Sequence, residues 1–225
     1  IYGIGLGMCG PTIMTHGTDA QRERWLPEMR MGQKVWCQLF SEPSAGSDLA
    51  GLRSTAVVDG DDWVINGQKI WTSRAKQSDL MLLLARTTPA DEVAKRTDGL
   101  STIIVDLREA KGNGLEIQSI PTMINHNTNS VFMDDLKVPV ENLIGEEGMG
   151  FTYQMEQFQE ERLYAVARTV TFLEDALEET ACTATVWPEL SNSEKALTEG
   201  PSLSDQETIC EILEATSGSF QRLKL

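Results

Sequence analysis

The stretch that most limits what this chain can fold into runs from Val35 to Ser73. It opens on an apolar run, Val35 to Phe40, that leads into Ser41-Glu42-Pro43-Ser44-Ala45-Gly46-Ser47-Asp48, a segment of small, hydroxyl-bearing residues broken by a helix-averse proline. It closes on a segment in which apolar and polar residues alternate on both sides of Asn66-Gly67. That dipeptide between alternating runs is a strong short-range hairpin signal and predicts a tight turn at 66–67. A strand that delivers a loop of small residues lets backbone N–H groups approach a flat or anionic ligand closely. On composition alone, a surface turn on an antiparallel sheet accounts for the same residues.

Further strand-like runs follow at Ser54–Asp59, Trp63–Ile65, Gln68–Thr72, Leu80–Arg86, Ser101–Asp106, Leu115–Ser119 and Ser130–Val138. Turn chemistry separates them at Asp59-Gly60-Asp61-Asp62, Asp98-Gly99 and Gly112-Asn113-Gly114. Thr87 to Thr97 has no periodicity and reads as a mobile loop. Before this region, residues 1–34 read as interrupted helix, with a helix-start signature at Thr18-Asp19-Ala20-Gln21. After it, Met155, Phe158, Arg162, Leu163, Val166, Val170 and Leu173 recur at three- and four-residue steps. They predict one long amphipathic helix that buries Met155, Phe158, Leu163 and Val166 and ends at Trp187-Pro188. A second helix is expected near Ser204–Glu207. The chain therefore reads as α+β: a central antiparallel, β-barrel-like domain over 35–147, flanked by helical segments over 1–34 and 148–225.

Gly3, Gly5 and Gly7 imitate a dinucleotide fingerprint, but no strand precedes them and the third glycine is misplaced. Close helix packing explains them better. The formal charge of −15 argues against nucleic-acid and anionic-membrane partners. No apolar run approaches the ~20 residues a membrane span needs. Cys9, Cys37, Cys182 and Cys210 are scattered, without metal-ligand spacing, and read as reduced thiols of a soluble intracellular protein. The chain does not begin with Met and carries no leader pattern, so it reads as part of a longer or processed protein.

Gln38-Leu39-Phe40-Ser41-Glu42-Pro43-Ser44-Ala45-Gly46-Ser47-Asp48, Asn66 to Ser73, Asn129 to Pro139, Asn142 to Gly145 and Gly148 to Phe151 occur in an order that resembles the central β-domain of the acyl-CoA dehydrogenase family. The resemblance covers roughly residues 1–180. It implies FAD as cofactor, an acyl-CoA thioester as substrate, and fatty-acid β-oxidation or related lipid metabolism. In that chemistry a carboxylate takes the α-proton while a hydride passes from the β-carbon to the flavin, yielding a trans-2-enoyl-CoA. Electrons would go to an electron-transfer flavoprotein, and the full-length protein would be a homo-oligomer in a bacterial cytoplasm or a mitochondrial matrix.

Carried over residue by residue, Gln38, Phe40, Ser41, Gly46 and Ser47 would run along the flavin ring. Trp71 would pack against it, followed by Thr72, with Ser73 offering a hydroxyl. Ser47 would also face the pantetheine side of the substrate. The resemblance gives Glu161, in Glu160-Glu161-Arg162-Leu163, as the base of the minority of members that carry it on the first C-terminal helix. Arg162 would lie on the substrate side. Glu160, about 100° around the helix, cannot share that position. Solvated glutamates on an acidic helix remain an alternative account. The family's Arg-x-x-Phe-Gly run has no counterpart at Lys195–Pro201, which puts the intersubunit part of the cofactor site and the usual tetramer in question. An acyl-CoA oxidase and a truncated non-catalytic relative that acts by binding stay open.

Overall fold

In the computed structural model, residues 2–123 and 127–186 are described, with side chains to residue 180. A π-helical turn, Gly5–Cys9, leads into α1 (Gly10–His16) and then α2 (Asp19–Arg30). Thr18 and Gln21 cap α2 reciprocally, as the helix-start pattern predicts: the Thr18 side chain accepts from the Gln21 N–H and the Gln21 side chain accepts from the Thr18 N–H. Gly5 lets this region close onto Met29 and Trp36, whose side chains lie 3.4 Å from where a Cβ would stand. The strands are β1 (Trp36–Leu39), β2 (Thr55–Asp59), β3 (Asp62–Ser73), β4 (Leu80–Arg86), β5 (Leu100–Asp106), β6 (Leu115–Ser119), β7 (Thr128–Pro139) and β8 (Leu143–Ile144). A short α3 (Leu107–Ala110) follows β5, and α4 spans Gly150–Val186. Two compact units divide the chain, residues 1–168 and 169–225; the sheet and the candidate site lie in the first.

The α+β class holds, and the sheet is an open path rather than a closed barrel. Its order is β6-β7-β3-β2-β4-β5-β8, with β1 paired to β4. Five pairings are antiparallel, while β1–β4 and the single register pair joining β2 to β4 are parallel. β4 is buried throughout, and the two-residue period splits its side chains between two cores. Met81, Leu83 and Ala85 join the cluster of Ile65, Ile103 and Val131 on one face. On the other face Leu80 and Leu82 meet Ile13, Trp25 and Trp36. One register step further, Leu84 packs with Ala45, Leu49, Leu52 and Leu100, and Phe40, Phe151 and Phe158 close over that group. This third cluster joins the Ser-rich loop to the start of α4.

Several expectations change. Asn66-Gly67 is not a hairpin turn; the two strands predicted around it are one, β3. The turn is at Gly60-Asp61, where Asp59 pairs with Asp62 and Gly60 adopts φ 65°. Asn66 instead sits at a bulge, because β7 fits an extra residue between the pairs Ile65↔Leu136 and Gly67↔Met133. The Asn66 amide donates to Asp135 Oδ1 at 2.9 Å, and its Oδ1 accepts from the Asp135 N–H at 2.8 Å. At φ 147°, with Ser54 where a Cβ would go, position 67 requires glycine. Residues 87–99 are tied down: the Arg86 guanidinium donates to the carbonyls of Ala50, Thr88, Arg96 and Asp98.

The long helix forms, but it buries a different face. Leu163 and Val166 are 72% and 63% exposed. The buried positions are Tyr153, Gln154 and Gln157, with Met155, Phe158 and Glu161 half-buried. Beyond the first three turns of α4, Leu163, Val166 and Leu173 of the apolar period are exposed. The expected helix end at Trp187-Pro188, the second helix and Lys195–Pro201 lie outside the described residues. No described helix is long and apolar enough to cross a membrane.

Candidate active site

The two halves of the opening stretch meet at the end of β1. Ile70 of β3 donates its N–H to the Ser41 carbonyl at 2.9 Å. One residue earlier, Lys69 is completely buried, and its Nζ donates to the Phe40 carbonyl at 3.1 Å and to Glu42 Oε1 at 2.8 Å. The Glu42 carboxylate also accepts the backbone N–H groups of Arg53 at 2.6 Å and Ser54 at 2.9 Å. Burial pushes the Lys69 ammonium down to about 8, against the opposing pull of Glu42. For Glu42 burial would raise the carboxyl, but Lys69 and the donors at residues 53 and 54 outweigh it and hold the group below its usual value. Neither residue stands out from the motif as read in sequence. The available signal was parity: Lys69 falls on the inward-facing positions of β3, with Trp63 and Ile65, and a buried lysine needs an acid partner.

Beyond Lys69, β3 takes a second bulge. The pairs Lys69↔Val131 and Thr72↔Asn129 leave one residue too many on β3, and Trp71 adopts φ 61° within that gap. A bulky side chain at positive φ is a strained outlier of the kind found at functional positions. The bulge turns the Trp71 indole outward, 60% exposed, while Thr72 goes inward. Asn129 holds the strand there by donating to the Thr72 carbonyl at 3.1 Å. Ser73 ends the strand half-buried, and Arg74 follows at φ 64°. Two polar atoms of this region, Gln38 Nε2 on β1 and Thr72 Oγ1 on β3, are buried without a hydrogen-bond partner. Buried polar groups are rarely left so, and each is suited to a ligand atom.

The Glu42–Ala45 turn, closed by a pair of backbone hydrogen bonds, holds the start of the loop. Gly46 and Ser47 stand exposed beyond it, and Asp48 pairs with Arg96 at 2.8 Å. From α4, Phe158 meets Phe40 edge-on at a centroid distance of 6.0 Å. One turn on, Glu161 Oε2 accepts from Gln157 Nε2 at 3.1 Å. Glu161 also lies close enough to the buried Cys9 thiol to raise it further, after burial and the influence of Cys37. Cys9 in turn donates to the Cys37 carbonyl of β1 at 3.8 Å, next to Gln38. Glu161 is half-buried, whereas Glu160 and Arg162 are exposed. The structure therefore joins Phe40, Ser41 and β3 directly and brings α4 in through Phe158; Gly46, Ser47 and Arg162 make no described contact with these groups.

The open sheet, with helical segments before and after it, is the fold of acyl-CoA dehydrogenases. Residues 37–136 match the family model described as acyl-CoA dehydrogenase, middle domain. The chain is 40% identical over 169 residues to acyl-CoA dehydrogenase FadE26 of Mycobacterium tuberculosis, covering 75% of this chain and 42% of that protein. Among solved structures, the acyl-CoA dehydrogenase of Geobacillus kaustophilus matches at TM-score 0.67 and 36% identity, over 72% of this chain and 42% of the other. Butyryl-CoA dehydrogenase of Megasphaera elsdenii matches at TM-score 0.74 and 25% identity, over 96% and 54%. Residues 37–136 belong to the acyl-CoA dehydrogenase middle-domain family, and the chain spans about two fifths of the length of the curated relatives it matches.

Proposed function

We propose that this chain is the central part of an FAD-dependent acyl-CoA dehydrogenase. In this reading residues 1–34 finish an N-terminal helical domain, 35–147 form the flavin- and substrate-binding middle domain, and 148–225 begin the C-terminal helical domain. The observation that carries the reading is the β3 end, where the Trp71 indole stands exposed on strained backbone at a bulge. A flat aromatic ring stacked on that indole suits it. FAD, when bound, supplies the acceptor for the β-hydrogen. Gln38, Phe40, Ser41, Gly46, Ser47, Trp71, Thr72 and Ser73 hold and orient it, and Ser47 and Arg162 face the CoA portion of the substrate. Glu161 takes the α-proton onto its carboxylate, while the Gln157 amide keeps the other oxygen oriented. Electrons leave to an electron-transfer flavoprotein.

The test is anaerobic flavin bleaching by acyl-CoA in the full-length protein, comparing Glu161→Gln with Glu160→Gln. Loss of the base is expected to slow bleaching by about 10²–10⁴ in the first variant and to leave the second unchanged. Normal bleaching by Glu161→Gln, with an essential glutamate elsewhere in the protein, contradicts the assignment.

A further inference from the structure

The Glu42–Lys69 pair is the most deeply buried charge in the described molecule, and nothing in the reaction uses it: Lys69 is fully buried and the Glu42 side chain nearly so. A buried ion pair is weak as a source of stability, since an apolar pair of similar volume does as well or better. An apolar pair cannot reproduce the hydrogen bonds made here. The Glu42 carboxylate accepts from Arg53 and Ser54, so both ends of the loop between residues 42 and 53 converge on one side chain. Lys69 donates to Glu42 and to the Phe40 carbonyl from within β3, two residues before Trp71. Four segments therefore meet at one point: the end of β1, the start of the loop, the end of the loop, and β3 at the edge of its second bulge.

We propose that Glu42 and Lys69 are the positioning pair that sets the spacing between the Ser41–Ser47 loop and the Trp71–Ser73 end of β3. This role rests on the flavin reading for its purpose, but its geometry does not. The pair touches neither cofactor nor substrate in this arrangement; it acts through the backbone carbonyl of Phe40 and the N–H groups of Arg53 and Ser54. Its exact length matters, because the Ile70 N–H to Ser41 carbonyl bond beside it lies between the two halves it joins.

The single variants strand a buried charge and can fail to fold, so the informative protein is the double variant Glu42→Gln/Lys69→Met, which removes both charges. Two readouts apply in the full-length protein: backbone amide exchange at residues 42–54 and 70–73 without added ligand, and titration with FAD followed by the flavin visible spectrum. The double variant is expected to keep the wild-type circular dichroism and melting temperature. Its loop and strand-end amides should exchange at least about tenfold faster, because both Lys69 Nζ hydrogen bonds are lost and an amide keeps one acceptor oxygen where the carboxylate used two. FAD should bind about tenfold more weakly, with an altered band shape. Unchanged exchange at both segments overturns the proposal, as does a lower melting temperature with exchange and FAD spectrum per folded molecule unchanged. If wild-type protein binds no FAD, the flavin reading fails, and the exchange data alone decide the positioning role.

Discussion

The strand side of the site and the helix side are built on opposite terms. On the strand side the ion pair is sealed: Lys69 is fully buried, the Glu42 side chain nearly so, and the carboxylate also takes the N–H groups of Arg53 and Ser54. What is left open there includes the exposed Trp71 indole and the partnerless atoms of Gln38 and Thr72. On α4 two of the buried residues, Gln154 and Gln157, are amides whose Oε1 atoms lack partners. Its apolar residues Leu163 and Val166 face outward. Rigid positioning is concentrated in the sheet, then, and the helix carries a carboxylate on a surface that the described residues only partly cover.

If that contrast is right, substitutions on the two sides differ in kind. The largest effect is expected from Lys69→Met alone, which leaves the Glu42 carboxylate buried without its cation. Breaking such a pair from one side costs about 3–5 kcal/mol, and urea unfolding should show it as a lowered midpoint. A loss below about 1 kcal/mol would mean that water reaches Glu42.

A smaller and pH-dependent effect belongs to Glu42 itself. Its folded value lies below the ordinary 4.5, so the unfolded chain binds more protons as the pH falls. The stabilisation is therefore fully present above about 4.5 and is lost as the pH drops through the lower folded value. The difference in melting temperature between wild type and Glu42→Gln should narrow as the pH falls below about 4.5. A constant difference would place the contribution of Glu42 in its shape rather than its charge. Least of all should Leu163→Ser matter: an exposed position is worth within about 0.5 kcal/mol. A larger loss in the full-length protein, read by thermal melting, would show that another element covers that face.

Much of the fold was legible. Leu80–Arg86 was legible to the residue as an unbroken apolar run between polar flanks, and Leu115–Ser119 by its alternation after Gly112-Asn113-Gly114. The Asn66-Gly67 reading failed because the dipeptide that favours a turn also favours a bulge, and only the register against β7 distinguishes the two. β8, two residues long, is too short to show a period. On α4 the spacing of Leu163 and Val166 gave a correct helix and a wrong buried face, since periodicity reports a stripe and not what packs on it. For the site, the motif order pointed to Phe40, Ser41 and Trp71, which the fold places around one junction. The ion pair beneath them joins residues 27 apart in sequence, and no local pattern encodes that.

The central claim is that the bulged end of β3 is a flavin platform, and FAD titration of the full-length protein with Trp71→Ala beside wild type addresses it most directly. Stacking on the indole is expected to perturb the flavin visible bands and quench flavin fluorescence on binding. Its removal should weaken binding by about tenfold, since an aromatic pair is worth roughly 0.5–1.5 kcal/mol beyond the area it buries. Wild-type protein that binds no FAD, or a Trp71→Ala variant that binds it with the same affinity and spectrum, would contradict the account.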